Sequence, residues 1–102
     1  MYMIKEKNYF VYINTNKTHN IFYTGVTNNI LNRNNQHKNQ NNKISFTAKY
    51  KAGKLVYCEV FNNINDAIVR EKQIKGGSRK KKIELIKKIN QKWRDLSEDL
   101  CS

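Results

Sequence analysis

The chain predicts an α+β fold, a small three-stranded antiparallel sheet flanked by helices in the order β-β-α-β-α-α. Three observations lead there. Two runs rich in aromatic and β-branched residues, Tyr9-Phe10-Val11-Tyr12-Ile13 and Ile21-Phe22-Tyr23-Thr24-Gly25-Val26, are separated by polar turn formers. A third such run, Lys54-Leu55-Val56-Tyr57-Cys58-Glu59-Val60-Phe61, follows a turn at Ala52-Gly53. Two later segments carry apolar residues at helical spacing behind the capping residues Asn62-Asn63 and Ser78.

Residues 1 to 8 are a short polar lead-in, expected to fray. The first two runs then form a hairpin. Direct pairing of Tyr12 with Tyr23 centres its turn between Lys17 and Thr18 and sets both phenols on one face. His19 lies in that turn and is read as structural. Thr27-Asn28-Asn29 starts a helix from about Asn29 to Lys38, docked only by Ile30 and Leu31, with Arg33 and His37 at i and i+4 on one face. Asn39-Gln40-Asn41-Asn42-Lys43 is a low-complexity loop. After the third strand, Asp66 suits the first turn of a helix whose buried stripe is Ile64, Ala67, Ile68 and Ile74. Glu71 falls inside that stripe, a carboxylate on an apolar face. Gly76-Gly77 closes this helix, and Ile83, Ile86, Ile89 and Trp93 give the last one its inward side.

A chain of 102 residues is expected to make a single domain, 1–102, with its core between about 8 and 96. Twenty Lys and Arg against eight Asp and Glu leave a net charge of +12, far more than solubility needs, so a polyanion is the expected partner. No apolar run is long enough to span a bilayer, and no signal-like apolar core follows Met1. Cys58 and Cys101 have no metal-ligand spacing and read as reduced thiols. A cytoplasmic location follows as the expectation.

The half-motifs Phe10-Val11-Tyr12 and Tyr23-Thr24-Gly25, Arg33 eight residues beyond that glycine, His37 four further on, and Glu71 within Ala67-Ile68-Val69-Arg70-Glu71-Lys72-Gln73-Ile74-Lys75-Gly76 stand in a telling order. So do the tail segments Ser78-Arg79-Lys80-Lys81-Lys82 and Asn90 to Leu96. In this order the chain resembles the GIY-YIG nuclease superfamily, in particular the small stand-alone bacterial members similar to the N-terminal domain of excinuclease C. Phe10, Gly77 and Gln91 depart from residues usual at their positions, and none of the three is a catalytic group.

The resemblance implies a GIY-YIG-like fold and an endonuclease hydrolysing DNA phosphodiester bonds, with branched or damaged DNA among the candidate substrates and no small-molecule cofactor. It casts Tyr12 as general base with Tyr23 assisting, places Arg33 and His37 on the phosphate, and makes Glu71 the ligand of Mg²⁺ or Mn²⁺. Asn90 matches a supporting position in some relatives. These roles suit the side chains: a guanidinium forks onto phosphate oxygens, an imidazole donates or shuttles a proton, and Mg²⁺ takes one or two carboxylates besides water and substrate oxygens. Independently, Arg79, Lys80, Lys81 and Lys82 crowd a helix N-terminus against its macrodipole, an arrangement that a DNA phosphate would turn favourable. The alternative from another class is a non-catalytic nucleic-acid-binding module on the same fold; a basic protein packed on ribosomal RNA gives no reason for Glu71 in an apolar stripe. Taken singly, each residue has an ordinary reading as a sheet aromatic, a solvated charge or a helix cap.

Overall fold

The computed structural model describes residues 8–30 and 52–97. Within them the chain forms strands β1 (Tyr9–Thr15), β2 (Phe22–Thr27) and β3 (Lys54–Phe61), followed by helices α1 (Ile64–Lys75) and α2 (Arg79–Ile89). The α+β architecture is as expected: an antiparallel sheet in the order β2-β1-β3, with two helices packed on it. Of the helix expected from about Asn29 to Lys38, only its start at Ile30 falls among the described residues. Arg33 and His37 lie outside them.

Alternation along the central strand sorts the two faces of the sheet. Val11 and Ile13 point into a cluster with Val56, Tyr57, Ala67, Ile74 and Ile86, where α1 and α2 cover the sheet. Tyr12 points the other way, onto Leu55 and Ile30, with Phe10, Tyr23, Cys58 and Leu96 around it. A bulge in β3 serves both layers. Ile13 stands opposite Tyr57 and Asn14 opposite Leu55, so Val56 is the extra residue and joins the helix side while Leu55 stays beneath Tyr12.

The hairpin register corrects the expectation. Tyr12 stands opposite Gly25, and Tyr23 opposite Asn14, so the turn centres between Thr18 and His19. The Asn16 side chain closes the turn there: its Oδ1 accepts from the N–H of Asn20 at 3.0 Å and of Ile21 at 3.4 Å, and its Nδ2 donates to Asn20 Oδ1 at 2.6 Å. His19 takes the left-handed conformation, φ 60°, that this closure needs. Because the partner shifts by two residues, the two-residue period of a strand keeps both tyrosines on the same face.

Both helix starts follow the sequence signals. Asn63 Oδ1 accepts from the N–H of Asn65 at 2.7 Å and of Asp66 at 3.4 Å, and Ser78 Oγ accepts from that of Lys81 at 3.1 Å. The apolar stripes are narrower than expected. Ile64 and Ile68 remain 38% and 37% exposed, because α1 meets the sheet along the line Ala67, Glu71, Ile74 and turns its N-terminal isoleucines outward. In α2 only Ile86 is fully buried, and Leu85 packs where Ile89 was expected. Ile89 is 57% exposed because the helix ends there and the chain turns away at Asn90.

That turn brings the chain back across the sheet. The N–H of Leu96 donates to Leu55 O at 2.7 Å, the N–H of Leu55 to Asp95 Oδ1 at 3.3 Å, and the Leu96 side chain packs on the tyrosine side. Among the described residues no helix is long and apolar enough to cross a membrane.

Candidate active site

Tyr12 and Tyr23 sit diagonally across the β1–β2 pair, ring centroids 6.1 Å apart and planes tilted by 44°. Gly25 is what admits this geometry. A Cβ at position 25 would lie 2.6 Å from Tyr12 Oη and 2.8 Å from its Cζ, so the Tyr12 ring rests directly on the β2 backbone. The side chain is 2% exposed, and its phenol reaches across to the edge strand only because the facing residue has no side chain. Asn14 lies directly opposite Tyr23, fully buried. Its Nδ2 donates to Ala52 O at 3.2 Å, while its Oδ1 has no hydrogen-bond partner among the described residues.

Glu71 lies between Ala67 and Ile74 on the side of α1 that meets the sheet, its side chain 14% exposed. The sequence expectation of an inward carboxylate therefore holds. Its partner is Lys75, one turn on, whose Nζ is 2.6 Å from Glu71 Oε2. That hydrogen bond is the main reason the Lys75 ammonium is held above its ordinary pKa; the charge of Glu71 and the Tyr23 phenol act in the same direction. α1 covers the face opposite the tyrosine rings, and of the groups that raise the Lys75 ammonium Tyr23 acts least. Sequence reasoning passed over Lys75, although a Glu with a Lys four residues later is a readable helix pair.

The four basic residues at the start of α2 divide in two. Arg79 donates from Nη1 to Asn20 O at 2.8 Å and lies 5.6 Å over the Phe22 ring, fastening the hairpin turn to the helix. Lys82 donates from Nζ to Gly77 O at 2.8 Å and Lys75 O at 3.5 Å, meeting carbonyls left over at the end of α1. Lys80 and Lys81 project into solvent. Asn90 is 5% exposed, and both its amide N–H groups are engaged, one on Val56 O at 3.1 Å and one on Arg94 O at 2.9 Å. Its Oδ1 accepts from the Arg94 N–H at 2.9 Å. Asn90 therefore latches the C-terminal segment to β3 and has no N–H left to offer a phosphate.

The remaining titratable groups have structural work. Burial, with the Glu59 charge adding to it, pushes the Cys58 thiol up to about 11, so it is a poor nucleophile near neutral pH. Tyr57 Oη and Arg70 Nε both donate to Glu59 Oε1 at 2.9 Å on the helix side, and burial raises the Tyr57 phenol. His19 stacks on Trp93 with centroids 4.3 Å apart and its Nε2 3.1 Å from Lys54 Nζ; burial first, then the lysine charge, lower its pKa.

Among the described residues no three His, Cys, Asp or Glu side chains gather to cage a metal ion. What Glu71 offers is a single, largely buried carboxylate. One such ligand is too few for a structural zinc site and fits Mg²⁺ or Mn²⁺, which keep several waters and complete their shell on substrate oxygens. Searches among curated proteins and solved structures find no significant match to the chain. Comparison with protein-family models matches residues 8–84, more than half of the chain, to the GIY-YIG catalytic domain.

Proposed function

We propose, from the premise that the chain belongs to the GIY-YIG family, that it is a divalent-metal-dependent endonuclease hydrolysing DNA phosphodiester bonds. The family is one of nucleases that act on nucleic acid with divalent metals. The observation that carries the reading is the seat of Tyr12 on Gly25 with Tyr23 beside it, a close packing that holds one phenol against the β2 backbone.

In this reading Tyr12 Oη accepts the proton of the attacking water, and Tyr23 assists from the edge strand. An unperturbed phenol titrates near ~10, so a neighbouring positive charge must favour its deprotonation. Arg33 forks onto the scissile phosphate's oxygens, and His37 donates to phosphate or carries a proton. Glu71 holds Mg²⁺ or Mn²⁺, which when bound relieves charge on the phosphate and the leaving oxygen. Lys75 must then release Glu71 Oε2. Lys80 and Lys81 contact the DNA backbone, while Arg79 and Lys82 hold that end of the helix in place.

The test is nicking of supercoiled, linear and branched DNA with Mg²⁺ or Mn²⁺ by wild type, Tyr12→Phe, Arg33→Ala and Glu71→Gln. Each variant is expected to lose cleavage, and Glu71→Gln to keep its DNA affinity. Equal cleavage by all four proteins assigns the activity to a contaminant. Binding with no cleavage by wild type leaves the non-catalytic binding module.

A further inference from the structure

We infer that a crevice at one end of the sheet, between Tyr9 and Ile64, takes a single unstacked nucleobase of the bound strand and reads it through Asn28. The inference deepens the function proposed above and rests on its nucleic-acid substrate, not on turnover.

β1 begins where β2 and β3 end, and α1 starts from that same end of the sheet. Strand parity turns Tyr9 and Val26 to the helix side, and continuing the β1–β2 register by one residue sets Asn28 opposite Tyr9. With Thr27 and with Ile64, the first residue of α1, they line a crevice of about 260 Å³. Thr27 Oγ1 is engaged, accepting from the N–H of Asn29 at 3.1 Å. The Asn28 side chain is exposed and has no hydrogen-bond partner among the described residues.

The lining selects the occupant. It contains no Lys or Arg, so it offers nothing to a phosphate. A tyrosine ring and two aliphatic side chains suit the faces of a base, while a carboxamide presents a donor beside an acceptor, the pairing by which Asn holds adenine. The volume falls below the roughly 300–1,000 Å³ of pockets for drug-sized ligands, which limits the occupant to about one base. That base must leave its stack to enter.

Placement ties the crevice to the proposed metal ligand. Ile64, Ile68 and Glu71 stand at i, i+4 and i+7 on one face of α1, and both isoleucines remain exposed. They form an apolar shelf that leads from the crevice to the carboxylate over about 10 Å of rise. At roughly 3.4 Å per nucleotide of a strand, a base in the crevice lies about three nucleotides from a phosphate at Glu71.

Fluorescence anisotropy with three single strands of equal length tests this, using the full chain in EDTA so that nothing is cut. The strands are oligo(dA), oligo(dT) and an abasic sugar-phosphate chain of the same charge. Wild type is expected to bind oligo(dA) about fivefold or more tighter than the abasic strand, and tighter than oligo(dT). Ile64→Ser is expected to lower the first ratio at least about threefold, and Asn28→Ala to erase the preference for oligo(dA) over oligo(dT). Affinity for the abasic strand, which reads charge alone, should change less than about twofold in both variants. Both positions are exposed, so circular dichroism should show both variants folded like wild type. Equal affinity of wild type for all three strands, an unchanged ratio in either variant, or a parallel loss on the abasic strand overturns the inference. Base discrimination by a protein that never nicks sinks only the proposed hydrolysis, and nicking without base discrimination sinks only the crevice.

Discussion

Replacing Gly25 by alanine isolates the contact on which the tyrosine arrangement depends. The new methyl would sit 2.6 Å from Tyr12 Oη and 2.8 Å from Cζ, and Tyr12, at 2% exposure between β2 and Leu55, has little space in which to retreat. Overpacking of this kind costs about 1–3 kcal/mol, equivalent to a fall of roughly 5–20 °C in the Tm of a domain this size. Gly77→Ala is the control. Its nearest contact would be Ile74 O at 3.4 Å, so its effect should stay within about 1 kcal/mol. Thermal unfolding followed by circular dichroism reads both variants, and a cycle with Tyr12→Phe assigns the loss. Removing the hydroxyl should recover part of the cost, with a coupling of at least about 0.5 kcal/mol. Nicking should fall further than stability does, since a displacement near 1 Å at a reacting group costs on the order of 10²-fold in rate. A Gly25→Ala protein as stable as wild type, or a strictly additive cycle, would refute the close packing of the phenol on β2.

Further outcomes follow from the other contacts. Lys75→Met frees Glu71 Oε2 from its ion pair and should tighten Mn²⁺ binding about two- to fivefold by titration calorimetry, the scale of a half-exposed pair; weaker or unchanged binding contradicts competition at that carboxylate. His19 is held below its ordinary value near 6.5, so the folded state binds fewer protons there than the unfolded one. Its contribution to stability is present above that value and lost as pH falls through and below it. The drop in Tm from pH 7.5 to 5.5 should therefore be smaller in His19→Gln than in wild type, and an equal drop would count against the contact with Lys54 and Trp93. Asn90→Ala strands Val56 O and the Arg94 backbone, and should cost about 2–3 kcal/mol in urea unfolding; a loss below about 0.5 kcal/mol would deny it the role of latch.

Much of the fold is written in local pattern. The third strand begins and ends at the residues its run of β-formers marks, and Asn63 and Ser78 cap the helices because each is a short polar acceptor ahead of an apolar period. The hairpin register is less legible. Asn14 to Asn20 offers several side chains able to close a turn, and the choice of Asn16 depends on which of them finds backbone N–H groups in reach. The exposure of Ile64, Ile68 and Ile89 is likewise tertiary: it depends on where each helix runs off the sheet, which no helical period encodes. At the site, the pairing of Tyr12 and Tyr23 on one face was readable from strand parity and the inward carboxylate from helical spacing. Two roles were not. Asn90 matched a supporting position of relatives, which does not tell that its amide is taken up by Val56 O and the Arg94 backbone, and Lys75 was hidden among many lysines until its distance to Glu71 singled it out.

Whether a metal on Glu71 shares one site with the tyrosines is tested most directly by paramagnetic broadening. Substoichiometric Mn²⁺ is added to the protein, and the ring signals of Tyr12 and Tyr23 are compared with that of Trp93, which stacks on His19 at the hairpin turn. A shared site predicts that the two tyrosines broaden first in wild type and lose this selectivity in Glu71→Gln. Earlier broadening of Trp93, or selective broadening of the tyrosines that survives Glu71→Gln, would contradict it.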